Sequence, residues 1–113
     1  MEIIRSRQNP LAKQLLKLAE HRRERLKTRY TLLFGPHLVR AALEARWPVD
    51  TILASEGDED DAEIRQLLSA SAMRTLLLDA GLFQAIEQAP SSSGIMALAR
   101  IPDEPALATT GLC

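Results

Sequence analysis

Few residue types in this 113-residue chain could do chemistry: two histidines, one cysteine, a run of three serines, and a block of arginines and lysines. A single cysteine, Cys113, rules out an internal disulfide, and with His21 and His37 it still falls short of a tetrahedral zinc site. Ser91-Ser92-Ser93 has no His and Asp near it in any nucleophile-activating order, so it reads as a loop before a strand. Phe34-Gly35-Pro36-His37 has the form of a strand-to-helix turn, but it lacks the spaced glycines of a dinucleotide site. Pro36 also removes one of the N–H donors that could hold a phosphate there. His21 sits among charges and reads as solvated, and His37 reads as a surface or cap residue. No catalytic residue is predicted.

What stands out is charge. The formal net charge is only -1. Residues 1–40 nevertheless hold ten basic groups and three acids, a surplus of seven, whereas residues 41–113 hold four basic and twelve acidic groups, a deficit of eight. A cationic end attracts polyanions whatever the total charge, and nucleic acid is the obvious partner; the competing reading is a helix charged only to stay solvated. The predicted RNA contacts are Arg5, Arg7, Asn9, Lys13, Arg22, Arg23, Arg25, Lys27 and Arg29. Arginine offers a phosphate two parallel N–H donors where lysine acts as a point charge, so Arg5 and the cluster from Arg22 to Arg29 should matter most. Asn9 also suits a helix cap. The only aromatic residues are Tyr30, Phe34, Trp47 and Phe83, too few for a base-stacking platform, which favours recognition of a folded RNA by shape and backbone.

These cations need a scaffold. With 46% apolar and 26% charged residues the chain fits one ordinary soluble domain with a single core. It has no apolar run near the ~20 residues that cross a bilayer and no secretory signal at its start, which predicts a cytoplasmic protein without membrane contact. Asn9 as N-cap and Pro10 at the first helical position open a helix whose Leu11, Ala12, Leu15, Leu18 and Ala19 share one stripe. Beyond about Ala19 the stripe turns basic, so packing should stop there and leave the arginines exposed. Strands are predicted at 30–34, 49–54, 73–78 and 94–99, with helices after Pro36, around Ile64, Leu67 and Leu68, and after Asp79 as a cap. Runs such as Thr75-Leu76-Leu77-Leu78 are apolar on both faces, as a sheet covered on each side requires. The expected fold is an α/β domain, three layers α/β/α, with about four strands and four helices. Residues 101–113, beginning Ile101-Pro102-Asp103-Glu104-Pro105, read as a linker and the start of a further domain, after a domain spanning 1–100.

The string Ser6-Arg7-Gln8-Asn9-Pro10-Leu11-Ala12-Lys13, the basic cluster, Leu33-Phe34-Gly35-Pro36-His37-Leu38-Val39, and Ser93-Gly94-Ile95-Met96-Ala97 occur in an order that closely resembles one family. That family is the SpoU (TrmH-type) RNA ribose 2′-O-methyltransferases, whose N-terminal substrate-binding domain carries a Ser-x-x-Asn-Pro-x-x-Lys opening. Two positions depart from its pattern: Phe34 stands where a Glu commonly precedes the glycine, and Ser93 where a Gln often does. The resemblance implies a compact fold like that of the kink-turn-binding ribosomal proteins, joined to a knotted catalytic domain of the SPOUT type. That second domain would bind S-adenosylmethionine, methylate rRNA or tRNA, and form a homodimer. None of its motifs occurs in this chain, so the chain is expected to bind no cofactor, to be inactive alone, and to recognise structured RNA for an engine located elsewhere. The alternative is a protein-interaction or dimerisation module that does not touch RNA, in which the apolar Ile3-Ile4 start would matter more.

Overall fold

The first helix begins as its residue types dictate. A computed structural model describes residues 2–70 and 73–102, and in it the chain runs β1 (Ile3–Ile4), α1 (Pro10–Glu20), α2 (Arg22–Thr28), β2 (Tyr30–Phe34), α3 (Pro36–Glu44), β3 (Val49–Ser55), α4 (Ala62–Ala70), β4 (Arg74–Leu78), α5 (Ala80–Glu87), β5 (Ile95–Arg100). Five strands and five helices exceed the expected four of each, for two identifiable reasons. The helix opened by Asn9 ends at His21, whose extended backbone (φ -123°, ψ 108°) separates α1 from a further helix, α2, where the apolar stripe gives out. Ile3–Ile4 is a strand, too short to show a period in sequence, and it is recognisable only through its parallel pairing with β4.

The sheet order is β1-β4-β3-β5-β2. β1, β4 and β3 are parallel, with α4 as the crossover between β3 and β4. β5 is antiparallel to both of its neighbours, β3 and β2. α5 ends at Gln88 in the left-handed region, and the following loop returns the chain so that Ile95 pairs with Ala54 near the finishing end of β3. The alternation of elements that pointed to parallel neighbours thus holds for three strands only.

Both sheet faces are covered. On one face Leu53, Leu76, Leu78, Met96 and Leu98 pack with Ala12, Leu15 and Leu18 of α1 and Leu82, Phe83 and Ile86 of α5. On the other, Ile52, Ala54, Leu77, Ile95, Ala97 and Ala99 pack with Val39 and Ala42 of α3 and Ile64, Leu67 and Leu68 of α4. Alternate strand residues therefore serve opposite layers, which accounts for strands that read as apolar throughout. The α/β/α layering follows the expectation. The linker expected from residue 101 is described only at Ile101 and Pro102; residues 103–113, including Cys113, lie outside the described residues. No helix among the described residues is long and apolar enough to cross a membrane.

Leu15 is fully buried on α1 and holds the helix that bears Lys13 and Lys17 against the sheet. Leu15→Ala is expected to lose about 3 kcal/mol of stability in urea unfolding, since the vacated volume can collapse only in part. Lys17→Ala, on the exposed side, should change it by less than about 0.5 kcal/mol.

Candidate nucleic-acid interface

The Ser-x-x-Asn-Pro opening is a turn followed by a cap. The Ser6 carbonyl accepts from the Asn9 N–H at 3.1 Å, and Ser6 Oγ accepts from the Gln8 N–H at 3.0 Å. Asn9 Oδ1 then accepts from the N–H groups of Leu11 (2.8 Å) and Ala12 (3.3 Å), and Pro10 occupies a position whose missing donor costs the helix nothing. Asn9 is thus engaged as a cap, the structural role its type suggests.

The nine candidates do not gather into one compact patch. Arg5, Arg7, Asn9 and Lys13 lie near the end of the sheet where the parallel strands finish. Arg22 to Arg29 lie toward the opposite end, where β2 begins. α1 separates the two groups, about 16 Å long for its eleven residues. The acidic loop from Glu56 to Asp61 sits at the finishing end, so the asymmetry in sequence becomes an asymmetry in space. Arg5 pays for being on that side. Its guanidinium makes a two-pronged bond to Glu56 (2.8 and 2.9 Å) and lies 3.9 Å from Asp79. The Glu56 hydrogen bond and then its charge raise the Arg5 pKa further above the ordinary arginine value. The Arg5 fork is thus occupied by a carboxylate, in a clasp that ties β1 to the ends of β3 and β4.

Arg25 is likewise turned inward. It donates to the Leu18 carbonyl, one of the acceptors left unpaired at the end of α1, and so braces the corner between the two helices. Arg7, Lys13, Arg22, Arg23, Lys27 and Arg29 are exposed, and α2 buries none of its residues. Lys17, absent from the predicted set, is exposed one turn below Lys13. Lys13 with Lys17 and Arg23 with Lys27 are like-charge pairs four residues apart, an arrangement that weakens a bare helix by ~0.2–0.5 kcal/mol each. Arg7, Lys13, Lys17, Arg22, Arg23 and Lys27 have no ion-pair or hydrogen-bond partner for their side chains among the described residues. A helix charged merely for solubility would balance its signs; α2 carries four cations against the one acid Glu24, and the outer side of α1 carries Lys13 and Lys17 against Glu20.

The two positions that depart from the family pattern are both structural here. Phe34 packs against the cluster on the α1 face, and the Ser93 hydroxyl donates to the Ile95 carbonyl at 3.3 Å. The Gly35 N–H donates to the Ile95 carbonyl at 2.9 Å and Pro36 has no N–H, so this turn does not fit an anionic ligand or a cofactor phosphate.

Residues 9–97 match the family described as MRM3-like substrate binding domain. The chain belongs to that family. Among solved structures, this substrate-binding domain is similar to an RNA 2′-O ribose methyltransferase at 28% identity and TM-score 0.77, covering 90% of this chain and 38% of that one. The SpoU methyltransferase AviRb from Streptomyces viridochromogenes, in complex with AdoMet, matches at 22% identity and TM-score 0.77, over 86% of this chain and 37% of that one. An rRNA methyltransferase from Sinorhizobium meliloti matches at 18% identity and TM-score 0.68, over 88% and 36%. The last two show the fold alone. No curated protein sequence matches. The domain spans less than two-fifths of the length of these three proteins. The resemblance to the substrate-binding domains of SpoU/TrmH-type RNA ribose methyltransferases therefore holds over residues 9–97.

Because Asn9 caps α1 through two N–H groups, Asn9→Ala should cost about 1 kcal/mol of stability in urea unfolding. Asn9→Asp, which keeps the acceptor and places a negative charge at the helix start, should restore it.

Proposed function

We propose that this domain docks structured RNA, rRNA or tRNA, for an S-adenosylmethionine-dependent ribose 2′-O-methyltransferase of the cytoplasm. The observation that carries this reading is the row of exposed cations Lys13, Lys17, Arg22, Arg23 and Lys27 on α1 and α2, none of which forms an ion pair with a described residue. Each phosphate that such a cation neutralises frees condensed counterions, so affinity comes mainly from the RNA backbone and weakens with salt. Arg7 and Arg29 extend the surface at its two ends. Arg5, Asn9 and Arg25 position it, through the Glu56 clasp, the α1 cap and the brace between α1 and α2. Methyl transfer itself, the cofactor and the homodimer contact belong to residues after 100 in a longer protein, with 1–100 as the recognition domain.

A second reading has its own observation. Leu33, Leu38, Ala41, Ala42, Ala45 and Trp47 line an apolar groove beside β2, an edge strand, and Leu38 is 53% exposed. Such a surface suits a protein-interaction module. Size-exclusion chromatography across a range of concentrations separates the two readings, because a stable dimer indifferent to RNA would favour the second.

Titration of a folded rRNA or tRNA fragment at several salt concentrations should give a log-log slope of about -3 to -5, as expected for four to six phosphate contacts. Arg22→Glu, Arg23→Glu and Lys27→Glu combined should abolish binding while the far-UV circular dichroism stays unchanged, since none of the three side chains is buried. Affinity independent of salt would overturn the proposal.

A further inference from the structure

The two edges of the sheet are finished differently. β1, at one edge, is only two residues long and offers little to a further strand. β2, at the other, presents Tyr30-Thr31-Leu32-Leu33-Phe34, all half-buried, with no charge, no proline and no bulge. Edge strands are ordinarily blunted by one of those devices, because an unpaired row of N–H and C=O groups is a template for another strand. Among the described residues β2 pairs only with β5. The Gly35 N–H donates to the Ile95 carbonyl and the Ile101 N–H to the Arg29 carbonyl, which fixes the odd-numbered residues as those hydrogen-bonded to β5. The main-chain groups of Leu32 and Phe34 therefore point outward, along the open edge.

Both faces beside that edge carry an apolar hollow. On the α1 side Leu32 and Phe34 lie with Leu18 and Ile86 around a cleft of about 130 Å³. On the other side Leu33 borders the groove with Leu38 and Trp47, about 240 Å³, and Leu38 is more than half exposed. A strand laid along β2 would gain main-chain hydrogen bonds and a place on each face for its alternate side chains, the geometry of strand addition. Two features select a second copy of this chain as that strand. The sequence is self-complementary about Leu32: in an antiparallel pair centred there, Leu32 faces Leu32 of the second copy, Tyr30 faces Phe34 and Thr31 faces Leu33. The charge is complementary as well. β2 and β3 are both antiparallel to β5 and so run the same way, with Arg22, Arg23 and Lys27 of α2 at the starting end of β2 and Asp58 and Asp61, beside Pro36, at its finishing end. An antiparallel partner brings the basic end of each copy toward the acidic end of the other.

We propose that β2 is a dimerisation edge: two copies of this domain pair antiparallel through Tyr30–Phe34 about a two-fold axis at Leu32, joining their sheets into one. The N–H and C=O of Leu32 bond reciprocally to those of Leu32 in the second copy, and each Phe34 N–H donates to the Tyr30 carbonyl across the axis. The Tyr30 N–H already donates to Thr28 Oγ1 at 3.2 Å and takes no part. The axis is perpendicular to the sheet, so the α1 layer of one copy continues into the α1 layer of the other, and the two exposed Leu38 side chains share the opposite face. This contact goes beyond the RNA-docking reading, since it needs no RNA, and it gives the interaction surface beside β2 a definite occupant. It is separate from the homodimer contact proposed for residues after 100.

The test uses the full chain without RNA. Sedimentation velocity across a concentration series should show a monomer–dimer equilibrium that weakens as salt is raised. In the parent chain the Leu32 and Phe34 amides should exchange with solvent about tenfold more slowly where the dimer predominates, which reads the edge without any substitution. In a Cys113→Ser background, which removes the only native thiol, Leu32→Cys should cross-link two copies on mild oxidation. Directly opposed, hydrogen-bonded residues have Cα atoms ~5.5 Å apart, within reach of a disulfide. Gln66→Cys, exposed on α4, should not cross-link. A chain that is monomeric at every concentration overturns the proposal. So does a dimer in which the Leu32 and Phe34 amides exchange at the monomer's rate, whatever the cysteine variants give; that outcome keeps the interaction-module reading and discards the strand pairing. None of these measurements involves RNA, so failure here leaves the RNA-docking reading standing.

Discussion

The burial of Ala12, Leu15 and Leu18 against the sheet is the constraint on which the rest depends. An α-helix with one stripe committed to a core has no freedom left in its rotation, so the opposite side of α1, with Lys13 and Lys17, must face water. The stripe also sets where the helix stops packing. Once the apolar residues run out after Ala19, the chain has nothing to gain from continuing along the sheet. It breaks at His21, and α2 forms as a nearly unburied turn of cations. The placement of the basic surface is thus a consequence of hydrophobic packing, with electrostatics deciding only what it attracts.

Chain order does the remaining sorting. In this topology the loops after β1, β3 and β4 gather at one end of the sheet, where Glu56 and Asp79 meet Arg5. The beginnings of β2 and β3 and the end of β5 gather at the other, where Arg29, Pro48 and Arg100 come together. Arg5 is held by two carboxylates while Arg100 has no ion pair with a described residue, because of which end each reaches. The same logic separates Arg25, bonded to the Leu18 carbonyl, from Arg22 and Arg23 three and two positions before it. Residue type states what a side chain can bind, and neighbours across the fold state whether it is already bound.

The opening motif has a plain mechanical content. Ser6 closes a tight turn, Asn9 satisfies two helix N–H groups and Pro10 starts the helix without a wasted donor. This combination sets the angle at which α1 leaves β1, and with it the direction of the exposed lysines. Phe34 and Ser93, the two departures from the family pattern, are absorbed by packing and by a bond to the Ile95 carbonyl. The turn they flank serves as a joint between β2 and β5, and the exposed cations of α1 and α2 lie elsewhere.

Much of the fold was legible in the residues alone. The apolar stripe of α1, its Asn-Pro start, β2 from Tyr30 to Phe34, the Asp79 cap of α5 and the two-faced apolar strands each carry a local physical signal, a period or a capping group, that does not depend on distant parts of the chain. The crowding of cations before residue 41 was equally plain. Tertiary structure alone decided the pairing of Ile3–Ile4 with β4, the antiparallel entry of β5, the clasp between Arg5 and Glu56, and the meeting of Arg29 with Arg100. Each joins residues tens of positions apart, and no local propensity encodes a contact whose partner is brought near only when both faces of the sheet are buried.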